Sequence, residues 1–525
     1  MLDTRVTVEL RSEENEVVDE VIAALEGEPS LFRRDGRLVR IKTEDPPAGS
    51  IARSSWGTTI EPIPNASLRE LITKQVRLIT ENEKGVMDRH PPDWLVSAVA
   101  ARGAWPKIRY LVGVVNEPVL LSSGAVLQKP GYDETSGLLY VPRDERLAVP
   151  EYPSLEDARY AAEGLLELAC DFPFAQPEHS AGFLAAVLTP FARFSFIGPA
   201  PLFVIDANTP GTGKSLLADV IGVISSGKRM PRTAHVRSDE EVRKQITSVA
   251  LSGQRLCLID NVEGLLGSPA LDAALTSTTW QDRRLGQSQM TGELALLATF
   301  FATGNNVVLN GDTHRRTLHI RLETKRERPE ERHDFAHREL LRHVENHRYA
   351  YARDALTILR AYHCAGQPAL EMTPWGSYEE WSRRVRAPLL WLGLPDPYLT
   401  RVGASSAADH EAELLRKVFA AFAILDANGT GMETAELLRR LKSGRYEELR
   451  LTFAEWVGRT EYDGSPVIRS LAMKLSHVRD RIIGGRALER RGDRWFLVDT
   501  AAEGTTGSTG SRSGRSGSPE PRPAD

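Results

Sequence analysis

Apolar and polar positions in the middle of the chain predict a strand, a turn and a helix in direct succession. The apolar run PLFVI at 201–205 predicts a buried β-strand, and LLADVIGVI at 216–224 predicts an apolar helix. The segment between them, DANTPGTGKS, carries the Gly and Pro residues of a turn. This order gathers backbone N–H groups at a helix N-terminus, which is a favourable place for an anion.

Further apolar runs predict strands of the same sheet. The run at 256–259 is followed by Asp260, and a later run is followed by Asn305. Another strand, TLHIRL, is predicted at 317–322. Ligands of open α/β sheets bind at the carboxyl ends of the strands, so we expect the polar residues at these ends to lie near the turn.

The predicted fold class is α/β, with a phosphate-loop core on a central parallel sheet, an α+β region before it and a winged-helix domain after it. Ser154 and Asp157 predict a capping box at the first helix before the core. Two early strands are predicted to turn at Asp35-Gly36. In chain order, the predicted regions are a small α/β unit (1–45), a mixed α/β accessory region (46–154), a helical lead-in (155–197), the core (198–325), a helical lid or linker (326–405), a winged-helix-like domain (406–500) and a disordered Gly/Ser/Pro-rich tail (501–525).

Composition narrows the class of protein. The chain has 525 residues, and no run of about 18 apolar residues predicts a membrane span. The charged start lacks the pattern of a signal peptide, and the three cysteines are widely spaced, which favours a cytoplasmic protein without disulfides or a zinc ribbon. The net charge is −5, so contacts with DNA would come from local basic patches.

The turn after the first core strand has the chemistry of a phosphate-binding loop. Lys214 can reach the β- and γ-phosphates of a nucleotide, and the Ser215 hydroxyl suits Mg²⁺. Asn208 stands where the motif usually has Gly, and we expect it to adopt the left-handed conformation that Asn tolerates. The candidate nucleotide-binding residues are Asn208, Thr209, Pro210, Gly211, Thr212, Gly213, Lys214, Ser215 and Leu216.

The second core strand carries a candidate magnesium ligand. Asp260 at its carboxyl end can hold Mg²⁺ through water. In many ATPases with a phosphate loop, a catalytic Glu directly follows this carboxylate, but this chain has Asn261 there. The general base is therefore left open between Asp260, acting through a water, and Glu263.

The next strand and the turn after it supply further candidates. Asn305 could orient the attacking water or sense the γ-phosphate, with Asn306 as the alternative if the strand ends one residue later. About ten residues on, Arg315 and Arg316 could supply an arginine finger to a neighbouring subunit, and the sequence does not choose between them.

Two basic regions are candidates for contact with DNA. A hairpin with strands RRLGQS and LALLA and the turn QMTGE is predicted before the Asn305 strand; its Arg283 and Arg284 could contact phosphates, or they could belong to a charged surface hairpin.

The second basic region is residues 465–495, which hold eight basic and three acidic residues. These residues are predicted to lie on a helix, with Ser465 as N-cap, and on a hairpin that turns at Gly492-Asp493. This segment suits DNA, with a protein partner as the alternative. Its candidate DNA contacts are Arg469, Lys474, Arg479, Arg486, Arg490 and Arg491.

The order NTPGTGKS, LCLIDNVEG, hairpin, ATGNN and GDTHRR resembles the helicase superfamily 3 branch of AAA+ ATPases, above all the replication ATPases of phages, prophages and integrative plasmids. The resemblance covers about 155–400. It implies an AAA+ core that binds ATP and Mg²⁺ in a hexameric ring, hydrolyses ATP between subunits and moves along single-stranded DNA. By the same resemblance, Lys214 and Ser215 bind phosphate and Mg²⁺, and Asp260 binds Mg²⁺. Asn305 is the sensor, and Arg315 or Arg316 is the finger.

Three functions remain open from the sequence. The first is a DNA helicase of a mobile element, with any primase on a separate chain, because no primase motif is visible before the core. The second is a replication initiator or helicase loader. The third is an NTPase switch in phage defence or regulation.

Overall fold

The computed structural model describes residues 4–44, 57–83, 85–142, 148–283, 290–401 and 407–500. The chain divides into two compact units, residues 1–406 and 407–525, and each is described by itself. Within these described ranges, no helix is both long enough and apolar enough to cross a membrane.

The first unit begins with two small sheets and three helices. One sheet has the order β1-β5-β6 and the other the order β2-β3-β4. The β2–β3 turn has positive φ at both central residues, Asp35 (50°) and Gly36 (70°), which confirms the predicted hairpin. The elements are β1 (Val6–Glu9), α1 (Glu14–Leu25), β2 (Leu31–Arg34), β3 (Arg37–Glu44), β4 (Gly57–Pro62), α2 (Asn65–Gln75), β5 (Val76–Asn82), β6 (Gly85–Arg89) and α3 (Asp93–Ala101).

Short strands and two helices lead from these sheets to the core. The hydroxyl of Ser154 accepts from the N–H of Asp157, whose carboxylate accepts from the N–H of Ser154, so the predicted capping box is confirmed. The elements are β7 (Gly113–Val115), β8 (Val119–Leu120), β9 (Val126–Leu127), β10 (Gly131–Asp133), β11 (Leu138–Tyr140), α4 (Leu155–Leu168) and α5 (Pro177–Ala192).

The core is built on a five-stranded parallel sheet. Four of its strands follow the predicted apolar runs, whereas the short edge strand β13 was not predicted. Its elements are β12 (Leu202–Ala207), α6 (Lys214–Ser226), β13 (Arg232–Ala234), α7 (Asp239–Ser252), β14 (Leu256–Val262), β15 (Leu265–Leu266), α8 (Pro269–Ala274), β16 (Thr279–Trp280), β17 (Leu294–Ala295), β18 (Thr299–Asn305), β19 (Val308–Leu309), α9 (Gly311–His314) and β20 (Thr317–Leu322). The strand order is β13-β14-β18-β12-β20. Both faces of the sheet are covered, because alternate residues of β12, such as Phe203 and Val204, enter two different apolar clusters.

The predicted hairpin before β18 exists. Its second predicted strand, LALLA, begins with β17 at Leu294, whereas its first predicted strand, RRLGQS, lies mostly outside the described residues. Thr279 pairs with Ala295, and Arg283 forms an isolated bridge with Met290, so Met290 belongs to the paired part of the hairpin and the turn predicted at QMTGE is wrong. The bulky apolar pair Trp280 and Leu294 fixes this register, because both side chains are buried in the core. Residues 284–289, including the candidate Arg284, lie outside the described residues.

The first unit ends in helices: α10 (Leu340–Cys364), α11 (Glu379–Trp381) and α12 (Ala387–Trp391). Its shorter helical turns are Pro329–Glu331, Ser382–Arg386 and Pro397–Arg401.

The second unit has four helices and a three-stranded sheet of order β21-β23-β22. The hairpin turn at Gly492-Asp493 is confirmed, whereas the N-cap predicted at Ser465 is wrong. Ser465 precedes a proline, which disfavours helix, and its side chain donates to Asp463, so the helix begins later. The helix α15 was not predicted from the sequence. The elements are α13 (Ala407–Leu425), β21 (Met432–Glu433), α14 (Thr434–Leu441), α15 (Glu447–Val457), α16 (Ile468–His477), β22 (Arg486–Arg491) and β23 (Arg494–Asp499).

Candidate nucleotide-binding site

The loop from β12 to α6 forms a cradle that requires two glycines. Gly211 and Gly213 have φ of 78° and 87°, where any other L-residue is strained. A Cβ on Gly213 would also lie 3.0 Å from the ring of Phe172. The loop therefore presents its backbone at the start of α6, where unpaired N–H groups and the helix dipole favour an anion.

Asn208 contributes to the loop in a way that the sequence analysis did not anticipate. Its φ is not positive, so the expected left-handed conformation is wrong. Instead, its side-chain amide bonds the backbone of Thr324, donating to the carbonyl oxygen at 2.8 Å and accepting from the N–H at 3.2 Å. Asn208 thus ties the loop to the segment that follows β20.

Lys214 points from the loop to the end of a neighbouring strand. Its Nζ donates to Oδ1 of Asn305 at 2.7 Å and lies 3.5 Å from the hydroxyl of Thr212. Partial burial lowers the pKa of Lys214, while the carboxylates of Asp206 and Asp260 act in the opposite direction. An ammonium group held in this half-buried position would gain from a nearby phosphate.

Ser215 and Asp260 lie together at the ends of α6 and β14. The Ser215 hydroxyl donates to Oδ1 of Asp260 at 3.1 Å. The buried hydroxyl of Thr303, on β18, donates to the same oxygen. These oxygen groups are the kind that Mg²⁺ prefers. Thr303 was not predicted, because a lone Thr in an apolar strand carries no sequence signal of such a role.

The backbone conformation explains why Asn stands at position 261, directly after Asp260. Asn261 has φ of 55° at a bulge in β14, and its N–H donates to the Thr303 hydroxyl at 3.0 Å. Asn adopts this left-handed conformation more readily than Glu does. The Asn at 261 therefore suits the turn that aims Asp260 at Ser215.

Glu263 lies apart from this cluster. It is exposed, and no described side chain of the phosphate loop bonds to it. Its charge acts instead on His235, whose pKa is lowered by burial and by Arg237 against the opposite effect of Glu263. Asp260 is therefore the candidate general base that lies beside Lys214 and Ser215.

Asn305 and Asn306 have different surroundings. Asn305 contacts Lys214, whereas Asn306 has φ of 48° and accepts from Nη2 of Arg321 at 2.8 Å. Arg321 also pairs with the buried carboxylate of Asp206 in β12. Asn306 thus belongs to a supporting network behind the loop, and Asn305 is the candidate sensor that faces the site.

A second supporting pair holds the far side of Asp260. Nη2 of Arg232, on β13, lies 2.6 Å from the buried Asp219 carboxylate on α6, and its Nη1 lies 3.6 Å from Oδ2 of Asp260. This arginine therefore connects helix α6 to the edge strand β13 next to the candidate magnesium ligand Asp260. Neither Asp206 nor Arg232 was singled out in the sequence.

Arg315 and Arg316 lie at the opposite end of the sheet. They precede the first residue of β20, whereas the phosphate loop follows the last residue of the parallel β12. The six residues of β20 separate the two ends by about 18 Å. Arg315 is 70% exposed, whereas Arg316 is 21% exposed and lies 3.1 Å from Oδ1 of Asp272. Neither arginine can therefore serve its own loop. Arg315 pairs only with the exposed carboxylate of Asp312 among the described residues, so it is the arginine that could extend outward.

A cavity of about 670 Å³ opens beside the loop. Its walls include Phe172, Leu216 and Thr324 together with the segment that contains Glu330. A Cβ on Gly211 would lie 2.4 Å from Oε2 of Glu330, so this carboxylate lies directly against the loop. The cavity is large enough for a nucleoside next to the phosphate cradle.

The candidate DNA contacts have varied surroundings. Arg283 is exposed on the hairpin. In the second unit, Arg469 lines a shallow groove on α16, and Lys474 lies on the same helix. The remaining four are each paired with an acidic neighbour, which reduces their positive field: Arg479 with Asp480, Arg486 with Asp499, Arg490 with Asp493, and Arg491 with Glu489.

The solved structures that match this chain include two of a JCV helicase, one of them bound to a thiazolopyridine compound. Both have 12% sequence identity and a TM-score of 0.20. The matches cover 39% and 45% of this chain and 61% and 66% of the helicase chains, so this chain spans less than two thirds of their length. No family model and no curated protein matches.

Proposed function

We propose that this protein is an ATP-dependent DNA helicase or translocase of the AAA+ superfamily 3 type, acting in the DNA replication of a phage, prophage or plasmid. The observation that carries the proposal is the convergence of Lys214, Ser215, Asp260 and Asn305 at one edge of a parallel sheet. These side chains come from three elements and meet beside a cavity of nucleoside size. A purely structural cluster would not need an ammonium group at the mouth of a glycine-lined helix N-terminus.

The residues fit ATP and Mg²⁺. Ser215 and Asp260 offer a hydroxyl and a carboxylate oxygen 3.1 Å apart, so both could join the shell of one metal ion. Mg²⁺ would neutralise charge on the phosphates. Lys214 would bind the β- and γ-phosphates, Asn305 would hold the γ-phosphate or the attacking water, and Asp260 would accept a proton through water.

A ring of subunits would meet a simple requirement, which is that a second protomer supplies the arginine to each nucleotide. Arg315 and the phosphate loop lie at opposite ends of one sheet, so one chain cannot bring both to one nucleotide. A closed ring, for which a hexamer is proposed, satisfies this requirement for every subunit.

DNA is the proposed partner. Single-stranded DNA would pass the hairpin that carries Arg283, and the second unit, proposed as a winged helix, would contact duplex DNA through Arg469 and Lys474 on α16. A cytoplasmic location and a primase on a separate chain complete the proposal.

The test compares ATP turnover of the wild type with that of Lys214→Ala, with and without single-stranded DNA. We expect Lys214→Ala to abolish turnover, because no other described cation contacts Asn305 at the loop. Lys107→Ala is the control, since Lys107 is exposed and far along the chain from the loop. Turnover retained in Lys214→Ala would refute the site, and wild-type turnover that DNA does not stimulate would refute the translocase.

A second candidate function, a slow NTPase switch, is favoured by one contact. Glu330 lies against Gly211, where its charge opposes a phosphate. A switch predicts slow turnover that is indifferent to DNA and rises in Glu330→Gln, whereas a translocase predicts stimulation by DNA in the wild type.

A further inference from the structure

A second cavity, of about 370 Å³, lies between the N-terminal sheet and the core hairpin, away from the nucleotide site. We call it the arginine groove. Its wall on one side comes from β2–β4 and carries Arg34, Asp35 and Arg37, and its other wall carries Arg283 of the hairpin. Three arginines and one aspartate make its lining net positive.

The arginines differ in what holds them. Arg37 and Arg283 are exposed, and no described carboxylate forms an ion pair with either of them. Arg34 is 5% exposed; its Nε lies 3.1 Å from Asp35, while its buried Nη1 has no hydrogen-bond partner among the described residues. The Nη1 atom is directed toward Gly253, where an added Cβ would lie 2.7 Å from it, and Gly253 does not line the groove. The arginines that the groove offers to an anion are therefore Arg37 and Arg283.

The hairpin wall is held firmly in place. The buried carboxylate of Asp282 accepts from the hydroxyl of Thr247 on α7 at 2.7 Å, and the hydroxyl of Thr291 accepts from the N–H of Asp282 at 3.0 Å. The Trp280 indole donates to Thr247 at 2.9 Å. These bonds fix the backbone at Arg283, so its side chain starts from a defined point on the rim.

The floor of the groove is apolar. It contains Val39, Ile60, Pro62, Leu251 and Leu294, and none of its lining residues is aromatic. A ligand that fits must therefore combine an anionic group for the rim with a flat or apolar body for the floor. A nucleotide unit has this combination, and contacts from the arginines to its phosphates would not depend on the base.

We propose that the arginine groove binds a phosphodiester segment of single-stranded DNA, with phosphates at Arg37 and Arg283 and the sugar and base over the aliphatic floor. This inference rests on the proposed function and extends it, because it makes the N-terminal sheet part of the DNA path. The strand would then contact the hairpin and the N-terminal sheet together, so movement of the core would be transmitted to DNA held by both walls.

The test measures binding of a fluorescent single-stranded oligothymidylate to the full chain by anisotropy. Arg37→Glu and Arg283→Glu are compared with Arg159→Glu, an exposed arginine on α4 outside the groove. We expect each groove variant to weaken binding on the order of tenfold and to lower the slope of log affinity against log salt by about 0.7 per lost contact. Arg159→Glu should retain the wild-type affinity and slope. Arg37→Ala, which adds no repulsive charge, should lower the slope in the same way.

Several outcomes would overturn the groove. The proposal would be wrong if Arg37→Glu and Arg159→Glu bound the oligothymidylate with equal affinity. It would also be wrong if inorganic phosphate displaced the oligonucleotide at matched ionic strength, because that result would assign the groove to free phosphate. Binding of polyglutamate that Arg37→Glu loses, with oligothymidylate binding unchanged, would assign it to an acidic protein. ATP turnover of the wild type and of Lys214→Ala is measured in parallel, so failure of the groove is distinguished from failure of the ATP site.

Discussion

The side chain of Asn208 forms a two-point hydrogen bond with the backbone of Thr324, 116 residues further along the chain. These bonds connect Asn208, at the start of the phosphate loop, to the segment that follows the end of β20. A glycine at this position could not make either bond, so the departure from the common motif has a structural purpose in this chain.

We predict that Asn208→Ala weakens binding of a non-hydrolysable ATP analogue by up to about thirtyfold, because two hydrogen bonds that position the loop are lost, each worth about 1 kcal/mol. Isothermal titration calorimetry measures the change. Asn261→Gly is the control, since glycine readily adopts the positive φ found there. Unchanged affinity in Asn208→Ala would show that the loop holds its shape without Thr324.

A second prediction concerns the hydroxyl of Thr303. Thr303→Val leaves the Asn261 N–H without its acceptor and removes one of the two hydroxyl donors to Asp260, so we expect a loss of stability of about 1–3 kcal/mol and weaker Mg²⁺-dependent turnover. Thr299→Val is a matched control on the same strand, because the buried Thr299 hydroxyl has no hydrogen-bond partner in the described structure. Chemical denaturation and magnesium titration of turnover measure both effects. Equal behaviour of the two variants would remove Thr303 from the site.

The two candidate finger arginines should separate in their effects. We expect Arg315→Ala to keep its thermal stability and lose about 10³-fold or more in turnover, because the exposed Arg315 is proposed to act on a neighbouring subunit. Arg316→Ala should instead lower the melting temperature, because it removes the contact with Asp272.

Mixing of subunits tests whether the finger acts in trans. Arg315→Ala protomers retain an intact phosphate loop, and Lys214→Ala protomers retain the arginine, so a mixture of the two inactive variants should regain turnover. A mixture that stays inactive, although native mass spectrometry shows mixed assemblies, would contradict a finger supplied by the neighbour.

Acid should destabilise the first unit through His319. This residue on β20 is 4% exposed, and burial, followed by the charges of His314, His179 and Arg321, lowers its pKa to about 3. The unfolded chain, with a pKa of about 6.5, binds the proton first, so stability is present above that pH and falls as the pH drops toward the folded pKa. The loss is about 2 kcal/mol at about pH 5.

His319→Leu should therefore lose less stability than the wild type between about pH 8 and about pH 5. Urea denaturation at the two pH values measures the difference, and His90→Leu, at an exposed position, is the control. An identical pH dependence in wild type and His319→Leu would show that other groups govern acid unfolding.

The sequence predicted the core strands well because buried parallel strands are continuous apolar runs. The predicted strand at 317–322 coincides with β20, and the Ser154 capping box is local enough to be read from four residues. In the same way, residues at the strand ends, Asp260 and Asn305, could be expected near Lys214, because parallel strands end at one edge.

Features that depend on distant partners could not be predicted. The role of Asn208 requires Thr324, and the hairpin register depends on burial of Trp280 against α7. The N-cap was misplaced because Ser465 has a closer partner, Asp463, than the helix that follows. In each case the role of the side chain is set by contacts in the folded structure that the neighbouring sequence does not reveal.

The placement of Arg315 and the phosphate loop at opposite ends of one sheet has a consequence for any solution measurement. In the proposed ring, each protomer would contribute half of two different catalytic centres, so specific activity should fall steeply on dilution, when neighbours separate, even though every chain stays folded. Below the concentration at which protomers associate, the protein would bind its nucleotide without hydrolysing it.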